Sequence, residues 1–219
     1  MRGTRLLHIH FDKYLNLKGW ILERKPKVVV ECGAGNGDLT RLLATLLDEY
    51  PFELHVISDY SVPGLDPRIK WISGLSYEVL STFPDDSIGL CIIDTDHNYW
   101  TLMREFVALF NKIIEGGLIA LHDVETFYHD TGMALSYGND KPYPKSEIER
   151  YAPYGSLGDA MIDFLLHHKM KYKLLAYHRE NHGGAMIERK TQPYFNIVVP
   201  GPGAIFIKKE TQNAVLQTR

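Results

Sequence analysis

Val28-Val29-Val30-Glu31-Cys32-Gly33-Ala34-Gly35-Asn36-Gly37-Asp38-Leu39-Thr40 is the stretch whose reading decides the fold. A β-branched apolar run gives way to an acidic residue, then to three alternating glycines, then to a helix-like segment. That order describes a buried strand turning tightly into a helix. Glycines permit positive φ and close approach of a ligand to the backbone, and the helix N-terminus beyond them favours negative charge. A dinucleotide fingerprint needs its third glycine three residues after the second, where this chain has Asp38, so pyrophosphate fits poorly.

Outward from this turn, helical and extended patterns alternate. The spacing predicts a helix from about His10 to Glu23, a strand over 27–31 and a helix over 38–49, stopped by Pro51. Strands follow at Glu53–Ser58 and Lys70–Ser73, with a helix from about Tyr77 to Phe83. Leu90–Asp94 reads as a fourth strand and Tyr99–Glu115 as a long helix stopped by Gly116-Gly117 before the strand Leu118–His122. Alternating βα units imply an α/β, Rossmann-like, doubly wound and mostly parallel sheet. After a helix over Leu157–His168 and an extended Tyr172–His178, the segments Tyr194–Val199 and Gly203–Lys208 suggest a closing antiparallel hairpin. Residues 126–156, rich in tyrosine, glycine and proline, suit a lid or insertion loop.

The 219 residues are enough for one α/β domain, and 1–219 is read as a single unit. With 24 basic against 27 acidic residues and a net charge of -3, the chain has no general attraction for nucleic acid or an anionic membrane. A small-molecule acceptor is the expected partner; homo-oligomer formation stays open. No secretion-signal layout and no apolar run near the roughly 18 residues of a membrane span are present, so a cytoplasmic protein is expected. Cys32 and Cys91, both in predicted buried strands, are read as free thiols.

A second constellation, Ile92-Ile93-Asp94-Thr95-Asp96-His97-Asn98-Tyr99 and later Gly116-Gly117-Leu118-Ile119-Ala120-Leu121-His122-Asp123, lies where open α/β sheets bind ligands. If the fourth and fifth strands are neighbours, their ends are about 4.8 Å apart and Asp94 and Asp123 converge. Two close carboxylates either repel or share a hard cation such as Mg²⁺, while His122 suits Mn²⁺ or Fe²⁺ better. His97 is the candidate general base because imidazole titrates near neutral pH. Asp59, ending the second strand, can accept hydrogen bonds from both hydroxyls of a ribose, or serve as a simple cap.

Glu31-Cys32-Gly33-Ala34-Gly35-Asn36-Gly37 resembles motif I of the class I S-adenosylmethionine (SAM) dependent methyltransferases, in which the turn cradles the methionine and ribose of the cofactor. From about Lys18 to Val124 the chain also resembles a small-molecule O-methyltransferase family typified by Ile-Asp-Gly-x-His-x-Tyr, a helix, Gly-Gly and a strand ending in His-Asp or an acidic pair. Its members include sugar and antibiotic O-methyltransferases, with relatives among cephalosporin-hydroxylase-type proteins. Thr95 replaces the usual glycine and Asn98 the common serine. The resemblance implies SAM as cofactor, held by Glu31, Gly33, Gly35, Gly37 and Asp59, with Gly74 and Ser76 near the adenine edge. It implies a cation, Mg²⁺ or Mn²⁺, at Asp94 and Asp123 with His122 alongside, and His97 as base. The alternatives are a non-catalytic SAM-binding module or another metal-dependent enzyme on the same scaffold.

Overall fold

The computed structural model describes residues 16–59, 61–97, 99–124, 157–178 and 183–191. Their elements in chain order are α1 (Leu17–Arg24), β1 (Val28–Cys32), α2 (Asp38–Leu46), β2 (Glu53–Ile57), β3 (Lys70–Ile72), α3 (Ser76–Ser81), β4 (Ile88–Ile93), α4 (Tyr99–Leu109), β5 (Ile113–His122), α5 (Leu157–His167), β6 (Tyr172–His178) and β7 (Gly184–Arg189). One seven-stranded sheet runs β3-β2-β1-β4-β5-β7-β6. The first five strands are parallel; β7 is antiparallel to β5, and β6 antiparallel to β7.

Each buried parallel strand needs apolar side chains on both faces, which β4 supplies with an unbroken Ile-Gly-Leu-Cys-Ile-Ile. One face packs against α1 and α2 through Leu17, Ile21, Leu39, Leu43 and Leu46. The other packs against α3, α4 and α5 through Leu80, Leu102, Phe106, Leu109 and Phe164. Phe106 and Phe164 stack with ring centroids 4.1 Å apart, locking α4 to α5. Cys32 and Cys91, on adjacent strands, are free and buried with sulfur atoms 4.0 Å apart.

The sheet order reverses between β1 and β4, because connections from β1 run toward β3 on one side while β4 opens the other. The carboxyl ends of those strands therefore flank a crevice. Ile93 pairs with both Cys32 and Leu121, so Gly33, Asp94 and His122 leave the sheet side by side.

Two expectations change. The long helix does not run to Glu115; α4 ends at Leu109, and Gly116 and Gly117 lie inside β5 rather than at a helix stop. Ile88 pairs with Ile113 but Leu90 with Leu118, so β5 bulges at this point, and Gly116 takes φ +72° there. Ile113 and Ile114 extend the helical apolar period in sequence, yet sheet pairing claims them. The antiparallel pair is formed by β6 and β7, whereas Gly184–Arg189 carried no strand expectation. The segments Tyr194–Val199 and Gly203–Lys208, and the 126–156 lid, fall outside the described residues.

Candidate functional site

The glycine turn is shaped by what its side chains lack. Gly33, Gly35 and Gly37 have φ of +86°, +51° and +82°, a region L-residues enter at a cost. A Cβ on Gly33 would sit 2.0 Å from the Asp94 carbonyl oxygen, so the turn presses directly against the β4 end. The Asp94 amide also donates to the Cys32 carbonyl at 2.9 Å. A Cβ on Gly37 would meet Val62 at 2.7 Å, whereas one on Gly35 would meet nothing within 4 Å. Among the described residues the turn thus offers open space above Gly35 and is closed on either side.

Beneath it, Glu31 is buried on β1. Neither carboxyl oxygen has a hydrogen bond of normal geometry among the described residues. Burial pushes the acid up to about 8, against the pull of the nearby Thr40 hydroxyl, and Asp94 adds repulsion. Asp59 is exposed just beyond β2. Gly74 (φ +151°) precedes α3, and Ser76 is the first residue of that helix, capped by Leu75, so the serine is not the cap. Its hydroxyl donates instead to Glu105 on α4.

The β4 and β5 ends carry the opposite character. Asp94, His97, His122 and Asp123 converge there, with His97 Nε2 lying 2.7 Å from Asp123 Oδ2 and 3.4 Å from Asp94 Oδ1. His122 Nδ1 lies 3.2 Å from Asp123 Oδ2 and 3.4 Å from Asp94 Oδ1. Asp123 takes φ +58°, a left-handed conformation uncommon for a non-glycine residue, which turns the chain sharply as it leaves the strand. Burial opposes charge on all four groups, yet mutual pairing wins. His97 rises to about 9 and His122 to about 10 through their close pairing with Asp123 and Asp94, and both carboxyls fall below their usual range. The near-neutral titration expected of His97 from sequence is therefore displaced upward by its two carboxylate neighbours.

Asp94, His97 and Asp123 each present a ligand atom within 4.8 Å of the others, a mixed oxygen and nitrogen set that fits a divalent cation. His122, read from sequence as the imidazole of that set, braces the same carboxylates, while His97 supplies the nitrogen of the trio. Sequence reasoning missed Glu105. Its signal is a carboxylate on the apolar stripe of α4, between Leu102 and Phe106 and one turn before Leu109.

A family described as "Methyltransferase domain" matches residues 30–124, from β1 to the Asp123 turn. No curated protein sequence matches the chain. Among solved structures, the MycE methyltransferase from the mycinamycin biosynthetic pathway, in complex with Mg, S-adenosylhomocysteine (SAH) and mycinamycin VI, superposes with a TM-score of 0.53 at 19% identity over 83% of this chain. The chain spans about half that protein's length, at 48%. A provisional caffeoyl-CoA O-methyltransferase from Staphylococcus aureus gives 0.56 at 14% identity, covering 83% of both chains. The SAH-bound Podospora anserina methyltransferase PaMTH1 gives 0.50 at 19% identity, covering 78% of this chain and 74% of its own. Residues 30–124 thus match a methyltransferase domain, and the seven-stranded sheet that carries them is a fold shared with these solved methyltransferases.

Proposed function

We propose that the chain transfers a methyl group from SAM to a hydroxyl of a small molecule, with a sugar or other hydroxylated metabolite as the acceptor class. The observation that carries this reading is the contact between the Gly33 turn and the Asp94 end of β4, which brings a cofactor-type cradle against a cluster of two acids and two imidazoles. In-line transfer needs the sulfonium methyl and the acceptor oxygen held about 3 Å apart, and these two features are adjacent.

In this reading Gly33, Gly35 and Gly37 let the methionine and ribose approach the backbone, and the open position above Gly35 supports that fit. The buried Glu31 carboxyl supplies acceptor oxygens that lack partners, suited to an ammonium or amide donor. Asp59 faces the ribose, and Gly74 with Ser76 borders the adenine.

Asp94, Asp123 and His97 hold a divalent cation, Mg²⁺ or Mn²⁺, with His122 bracing the two carboxylates. When bound, such an ion lowers the pKa of an acceptor hydroxyl and stabilises the developing alkoxide. The residues themselves form a charge-balanced cluster: with no metal, the carboxylates hold protons on His97 and His122 above neutral pH. With the cation bound, His97 would be a ligand through Nε2; it serves as a proton acceptor only in the metal-free site, after losing that proton, with Asp123 fixing its ring at 2.7 Å.

Among the described residues no helix is long and apolar enough to cross a membrane. The two free thiols accord with a reducing, cytoplasmic setting. Calorimetry with SAM and SAH, each with and without Mg²⁺ or Mn²⁺ and with NAD as control, tests the cofactor. Micromolar binding of the first two and not NAD is expected. A folded protein that binds neither would refute the reading. Transfer of label from methyl-labelled SAM to a hydroxylated acceptor panel then tests the reaction.

A further inference from the structure

Glu105 sits at 0% exposure on α4, and one of its oxygens, Oε1, accepts from two hydroxyls of separate turns. Thr95, immediately after Asp94, donates to it at 2.7 Å. Ser76, at the start of α3, donates to the same oxygen. The other oxygen, Oε2, is buried with no hydrogen-bond partner among the described residues. A buried carboxylate is costly to retain, and its one-sided bonding suggests a task beyond packing. The two turns it joins are the β3–α3 turn, which borders the adenine edge in the proposed function, and the β4–α4 turn, which carries Asp94 and His97.

We infer that Glu105 is a positioning residue that fixes the cofactor-side turn at Ser76 against the charged turn at Thr95, so that SAM affinity depends on a hydroxyl at position 95 acting through position 105. The inference rests on the proposed SAM site. Hydroxyl bonds to a charged acceptor are stronger than neutral ones, and Thr95 is only partly buried, so its substitution is testable without dismantling the core.

The experiment measures SAH affinity by calorimetry on the full chain for wild type, Thr95→Val, Thr95→Ser, Glu105→Met and the double variant Glu105→Met/Thr95→Val, with thermal melting of each unliganded protein alongside. Thr95→Val is expected to weaken SAH binding roughly tenfold, and Thr95→Ser, which keeps the hydroxyl, to stay within about twofold. In the Glu105→Met background, Thr95→Val should add nothing further, because its partner is gone. A melting temperature that holds or rises in Glu105→Met while affinity falls separates positioning from mere structural support. Equal affinity of the valine and serine variants overturns the inference. So does an undiminished valine effect in the Glu105→Met background, which would mean Thr95 acts on the cofactor directly. Should Glu105→Met fail to fold, the valine and serine pair decides alone. A wild-type protein that binds no SAH is a different failure: it removes the SAM site, and this inference with it.

Discussion

The two halves of the sheet's carboxyl edge are built in opposite ways. At β1 the site is made by absence: three glycines at positive φ leave an open position over Gly35 and a backbone free to be approached. At β4 and β5 it is made by presence: Asp94, His97, His122 and Asp123 crowd one point and shift one another's protonation. The halves meet where Gly33 presses on the Asp94 carbonyl and the Asp94 amide donates to the Cys32 carbonyl. One half of a methyl-transfer site must admit a large cofactor, and the other must gather charge for a small reacting atom.

Gly33→Ala breaks both halves at once and should have the largest effect. The new Cβ would lie 2.0 Å from a backbone oxygen at φ +86°, and the clash and the left-handed strain together cost on the order of 4 kcal/mol. A sharply lowered urea midpoint and loss of SAH binding are the expected results; near wild-type values would show that the contact can relax.

Asp123→Asn breaks only the charged half. It leaves two imidazoles competing for Asp94, and stability at pH 7 should fall by roughly 3 kcal/mol. SAH affinity without metal should change little, because the glycine half is intact. Titration of Mg²⁺ or Mn²⁺ by calorimetry should give no binding in this variant.

The charged half should also respond to pH. His97 and His122 have pKa values raised above their unfolded value of about 6.5, so their stabilisation is complete below that pH. It is lost as pH climbs through about 9 and 10. Unfolding midpoints without metal should therefore fall from about pH 6.5 and level off near pH 10, by on the order of 2 kcal/mol. Metal affinity should move oppositely, rising up to about tenfold per pH unit below pH 9 as His97 sheds its proton. A flat metal affinity from pH 7 to 9 would remove His97 from the ligand set.

Gly35→Ala should perturb stability least, by about 1 kcal/mol from its φ of +51°, because no atom lies within 4 Å of the new methyl. Its effect belongs in SAH binding, since the methyl fills the space the cofactor would take. A stable variant with unchanged SAH affinity would move the cofactor away from this turn.

The glycine half was legible in sequence because its signal is local. A β-branched run, an acid and alternating glycines are consecutive residues, and each has one backbone meaning. That the first strands run parallel was legible for a similar reason, since alternating βα units imply a parallel sheet. The end of α4 was not, because Ile113 and Ile114 fit both a helical period and a strand, and pairing with β4 chose the strand. Strand β7 was equally hidden: Ala185, Met186 and Ile187 are too short an apolar run to declare themselves without β5 and β6 on either side.

For the charged half, sequence named Asp94, His97, His122 and Asp123 but not their arrangement. Residues 94–97 and 122–123 come from different strands, and only the pairing of Ile93 with Leu121 brings them within bonding distance. That His97 joins the two acids in the compact trio, that both imidazoles are held charged, and that Glu105 reaches Ser76 and Thr95 from a third element were decided by tertiary structure alone. The sequence by itself determined most of the elements, the glycine turn and the inventory of chemical groups, because backbone preference and side-chain chemistry are carried by neighbouring residues. Distances between groups, and hence their pKa values and pairings, depend on separations through space that no local pattern encodes.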